Sequence, residues 1–225
     1  MKTRLCCSAA VAAALLVAGC SEDSGGGPPA TVALEATERF PGQTVRDWKS
    51  YADHVAVYTV TSEREIPAAP EEVARGEGLV GREVTLRIDR TLWSAPEAPA
   101  LPSEITMTAP GWVLVEGERR EVALHDGPRV TVGGRYLAPL VRVEDGPAPE
   151  WWPLTIGSQI QLNGERLATA PADPAGNSPR DELAGRSVEE ARTIVTRQKP
   201  DPAAARHREL RPTQRLEAVQ EEGTP

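Results

Sequence analysis

The sequence predicts a mainly β fold: a small antiparallel barrel or sandwich with one or two short helices, a C-terminal helix and disordered tails. Three observations carry this. Between His54 and Leu167 the chain contains many short runs rich in β-branched and aromatic residues, closely spaced and separated by turn residues. The stretch "IQLNGERLA" sets Asn163-Gly164 between two alternating runs, the signature of a two-residue hairpin. Helical spacing of apolar residues is confined to a few short stretches, and no internal repeat is present.

The elements follow in chain order. Residues 1–19 have a basic start (Lys2, Arg4), an apolar stretch and small residues at Ala18-Gly19, which together read as a secretory signal peptide. The apolar run is shorter than the about 20 residues a membrane-spanning helix needs. Residues 20–30 comprise Cys20 and a Gly/Pro-rich stretch, "SEDSGGGPPA", read as a flexible tether. Residues 31–169 read as one β-rich domain of ordinary size. In its first part Thr44 and Asp47 resemble a capping box, and Val45, Trp48 and Ala52 fall at helical spacing, so a short helix is predicted. From His54 both alternating sets, Val55/Val57 and Ala56/Tyr58/Val60, are apolar, as in a central strand. Val84, Leu86 and Ile88 then alternate with Thr85, Arg87 and Asp89, predicting a strand with one buried face.

A helical turn is placed at Pro70–Arg75 and an irregular loop at Ser94–Pro102, which holds three prolines. Further strands are predicted at Glu104–Thr108, Trp112–Glu116, Glu121–Leu124, Arg129–Val132 and Arg135–Val143. Residues 170–198 read as a loop and a helix, with Ser187 and Glu190 as its capping box and Val188, Ala191, Ile194 and Val195 as an apolar stripe. Residues 199–225, with prolines, balanced charge and few large apolar groups, read as a disordered tail.

Val17-Ala18-Gly19-Cys20 resembles the lipobox of bacterial lipoproteins, and that resemblance implies a diacylglyceryl thioether on Cys20 after cleavage ahead of it. The alternatives are an ordinary signal peptide with an incidental cysteine, or a disulfide. Cys6 and Cys7 lie in the segment to be removed, so Cys20 would have no thiol partner within the chain. Two acyl chains suffice for stable membrane attachment where one is marginal. The expected location is therefore the outer face of the bacterial cell membrane, with the membrane as first partner.

Ala52-Asp53-His54-Val55-Ala56-Val57, "VTLRIDRTLW" and "VGGRYLAPLVR" together resemble a group of uncharacterised secreted or lipid-anchored bacterial proteins. More distantly they resemble the OB-like barrel of netrin and tissue-inhibitor-of-metalloproteinase modules. That resemblance implies an OB-like fold over about Tyr51 to Leu167. Metalloproteinase inhibition does not carry over, because the inhibitors use a disulfide-bonded N-terminal cysteine and Cys20 has neither disulfide nor rigid surroundings.

The net charge of −8 becomes −10 once Lys2 and Arg4 leave with the signal. From Arg180 onward nine basic and nine acidic residues cancel, so the excess negative charge lies before Pro179. This argues against nucleic acid as a partner, since phosphate binding needs a basic face. No nucleophile elbow, phosphate-binding loop or metalloprotease motif is present, and no catalytic, cofactor or metal residues are assigned. Two Asp-His pairs, Asp53-His54 and His125-Asp126, would make a metal or acid/base site if they converged. Against this, neighbours on a strand point to opposite faces. His207 reads as a spectator in the tail.

The candidate contact residues are Trp151 and Trp152, adjacent in the proline-flanked "GPAPEWWPL", where one indole is forced outward to meet an envelope protein or a glycan, or both plug a barrel end. The expected function is a non-enzymatic, lipid-anchored binding or scaffold module. The alternative is a metal-dependent or hydrolytic enzyme built on the two Asp-His pairs.

Overall fold

The computed structural model describes residues 32–34, 38–124, 128–144, 146, 148–169 and 178–223. Cys20, the segments read as signal peptide and tether, and the His125-Asp126 pair lie outside the described residues. The fold is mainly β, as the sequence predicts. Its strands are β1 (Val32–Leu34), β2 (His54–Ile66), β3 (Gly78–Ser94), β4 (Glu104–Val115), β5 (Glu118–Leu124), β6 (Arg135–Val143), β7 (Glu150–Pro153), β8 (Ile160–Asn163) and β9 (Arg166–Leu167). They run in the order β1-β5-β4-β3-β2-β6-β8-β9, with β7 also paired to β6. Every pair is antiparallel except β1 with β5. The sheet curls until β7 lies against β4. The circuit β2-β3-β4-β7-β6-β2 thus returns on itself, though no hydrogen-bonded ladder joins β7 to β4 among the described residues.

The central strands explain the curl. In β2, Val55 and Val57 belong to one apolar cluster and Ala56, Tyr58 and Val60 to the other. β6 divides in the same way, with Leu137, Val141 and Val143 on the first face and Tyr136, Ala138 and Leu140 on the second. A strand with two apolar faces must be covered on both. The inner face is covered by the curled sheet itself, through Val84 and Leu86 of β3 and Ile105, Met107 and Ala109 of β4. The outer face is covered by helices.

Those helices are α1 (Val45–Tyr51), α2 (Pro70–Ala74), α3 (Pro179–Leu183), α4 (Val188–Arg197), α5 (Pro202–Arg206) and α6 (Pro212–Gly223). All but α2 contribute to the outer core, through Trp48, Leu183, Ala191, Val195, Ala204 and Leu216 among others. The capping box of α1 is formed, with Thr44 Oγ1 accepting from the Asp47 amide at 3.1 Å and Asp47 Oδ2 accepting from the Thr44 amide at 2.9 Å. Ser187 and Glu190 do the same for α4.

Four expectations are corrected. Residues 199–225 are not a disordered tail over their described length: α5 and α6 form there, and Ala204, Arg215 and Leu216 are buried. Few apolar groups are needed because polar contacts dock the pair. Arg215 donates to four backbone carbonyls, and Arg211 pairs with Asp53. A helix, α3, precedes α4 within the segment read as loop and single helix. Glu104–Thr108 and Trp112–Glu116 are one strand, β4, not two. A register shift between Val80 and Arg82 of β3 absorbs Pro110-Gly111, where a Cβ on Gly111 would stand 2.2 Å from the Val80 carbonyl oxygen. Arg129–Val132 is not a strand. Its Val130 is buried, and its place beside β2 is taken by the Gly133-Gly134 turn, which exchanges hydrogen bonds with Val60.

The hairpin of β8 and β9 is present, with its turn at Gly164-Glu165, one residue later than the dipeptide implies, and Gly164 at φ +64°.

Candidate functional site

Strand alternation separates the two adjacent tryptophans. β7 pairs with β6, with Trp151 opposite Arg142 and Trp152 opposite Val141. Trp151 faces into the barrel, is 8% exposed, and joins the inner cluster. Its ring packs on the His54 imidazole at 5.4 Å between centroids. Trp151 is therefore a core residue and is withdrawn as a contact residue. Trp152 turns the opposite way and remains 45% exposed. Its Nε1 donates to Glu150 Oε2 at 2.9 Å. That bond fixes the ring edge and satisfies its one polar atom, leaving an apolar face in solvent next to a carboxylate.

His54 and Asp53 are buried, at 4% and 1% exposure, and their polar atoms point to different partners. His54 Nε2 lies 2.8 Å from the Pro99 carbonyl oxygen, which only accepts, so this nitrogen carries the hydrogen. Nδ1 lies 2.8 Å from Ser94 Oγ and accepts from it in the neutral ring. Both ring nitrogens are committed to protein groups, so the imidazole has no lone pair to offer a metal. Burial pushes the His54 pKa below its ordinary value, partly opposed by the Pro99 hydrogen bond and by Asp53.

Asp53 accepts from the Arg142 amide at 2.8 Å and from Arg211 Nη1 at 3.2 Å. The pair thus ties β2 to β3 and to the α5–α6 connection. His125 and Asp126 lie outside the described residues. Among the described residues, no group of three or more His, Cys, Asp or Glu side chains is placed to hold a metal ion. No helix among them is long and apolar enough to cross a membrane.

His207, read as a spectator, ends α5 and lies 2.8 Å from Glu222 of α6, which also meets Arg206. The sequence reading missed a further set of residues, Lys49, Trp93 and Arg208. They come together only because α5 and α6 fold back on α1 and on the end of β3. The visible signals were Asp201-Pro202 as a cap with proline in the first turn, and Pro212 opening α6. Compared with known proteins, the chain matches no family model, no curated protein and no solved structure.

Proposed function

We propose that this protein is a lipid-anchored extracytoplasmic binding or scaffold module. A diacylglyceryl group on Cys20 holds it to the outer face of the bacterial cell membrane, and the β7 edge recognises an envelope protein or a glycan. The observation that carries the binding half is the outward Trp152. Its indole is 45% exposed and held at the edge by Glu150, so it presents a fixed apolar face for a partner to cover. Glu150 beside it adds a charge-assisted acceptor for a hydroxyl or a basic group. Attachment is supported by Val17-Ala18-Gly19-Cys20 and by the lack of another cysteine after residue 20. The acidic balance of the chain opposes nucleic acid.

The test separates the two tryptophans. Trp152→Ala removes proximity-labelled or cross-linked partners on intact cells while stability changes by no more than about 0.5 kcal/mol, as for an exposed side chain. Trp151→Ala costs about 3–5 kcal/mol because it empties a core position. An unchanged set of partners for Trp152→Ala overturns the assignment of the β7 edge.

A further inference from the structure

The docked helices α5 and α6 enclose a groove of about 260 Å³ against the C-terminal end of α1 and the end of β3. A cavity of about 150 Å³ admits benzene, so this space holds a ring or short chain together with a head group. Its apolar floor includes Trp93, Pro96 and Ala204. Three cations line it, Lys49, Arg208 and Arg215, against one carboxylate, Glu97. This is a local excess of positive charge in a chain whose net charge is −8.

Arg215 is 6% exposed and spends its donors on the carbonyls of Ser50, His207, Arg208 and Leu210, none of them a full negative charge. The Lys49 ammonium sits 3.9 Å from the centre of the Trp93 ring. Among the described residues, neither Lys49 nor Arg208 has an ion-pair partner.

We infer that this groove binds a small organic carboxylate with an apolar body, its head group at Lys49 and Arg208 and its body on Pro96 and the alanines of α5, beside the Lys49–Trp93 contact. Arg215 already has Glu97 and Asp53 nearby, and a carboxylate supplies the charge that Lys49 and Arg208 lack. A partly enclosed site strengthens that attraction relative to open water. The apolar floor selects an organic acid over an inorganic anion. The inference stands apart from the lipid anchor and from the β7 edge.

Three probes dissect it in the purified full chain, followed by calorimetry and by NMR shifts at the Trp93 indole. They are phenylacetate, its uncharged counterpart 2-phenylethanol, and acetate, which has the head group alone. Phenylacetate saturates, at least tenfold tighter than either control, with shifts at Trp93 and none at Trp152. The double variant Lys49→Gln, Arg208→Gln leaves the thermal midpoint in place and lowers phenylacetate affinity to that of 2-phenylethanol. Absence of saturation, equal affinity for acid and alcohol, shifts centred elsewhere, or full affinity in the double variant each overturns the assignment.

Discussion

At position 54 the imidazole is enclosed by Trp151, Ser94 and the Pro99 carbonyl, and what that enclosure costs is readable as a pH dependence. Burial holds the folded-state pKa below the ordinary value of 6.5, so protons bind the unfolded chain more readily than the folded one. The contribution of neutral His54 is complete above about pH 6.5 and is lost as pH falls through its lower folded-state pKa. Glu190 and Glu222 are also lowered, the first by hydrogen bonds from Ser187 and the second by hydrogen bonds from Arg206 and His207, but they act below 4.5. Chemical denaturation at a series of pH values separates these windows. The wild-type midpoint falls as pH drops below about 6.5, and His54→Gln flattens that decline. Equal slopes for the two proteins contradict the account. Neither contact of the imidazole was legible in the sequence, since Ser94 and Pro99 lie 40 and 45 residues away. The sequence reading placed both tryptophans in a proline-flanked loop with one indole forced outward; the split is present, but it arises from alternation along β7, a strand the sequence did not announce. Which one faces outward depends on the register of β7 against β6, which no local pattern encodes.

Elements whose signals are local were read correctly. α1 and α4 carry side-chain caps and an apolar stripe within one short window, so their sequences contain the whole argument. β2 declares itself by having two apolar faces. α5 and α6 do not, because their docking is polar and long-range: Arg211 reaches Asp53 across 158 residues and Arg215 reaches the Ser50 carbonyl across 165. Composition therefore reads as disorder where the fold supplies the partners. Leu216 tests this directly, being a buried apolar residue of α6. Leu216→Ala costs about 2–5 kcal/mol in equilibrium unfolding if α6 is part of the core. A disordered tail would leave stability unchanged. In β4 the close approach of Gly111 to Val80 makes a second prediction: Gly111→Ala is destabilised by the forced shift of the β3–β4 ladder, seen as a lower thermal midpoint. An unaltered midpoint contradicts the packing described for that crossing.

The described part of the molecule comprises a curled sheet with an inner apolar core and an outer layer of helices closing its second face. The inner cluster is covered by the curled sheet itself, and the outer cluster is covered by helices that include those of the chain's C-terminal quarter. Two surface features stand outside this division, the exposed indole face of Trp152 and the cation-lined groove beneath α5. Both surfaces suit the anchored binding module proposed above. Attachment is the claim on which that placement depends, and mass spectrometry of the N-terminal peptide from membrane-extracted protein examines it most directly. The account predicts a chain that begins at residue 20 with a diacylglyceryl thioether on Cys20. A bare thiol at that position, or a chain that retains residues 1–19, contradicts it.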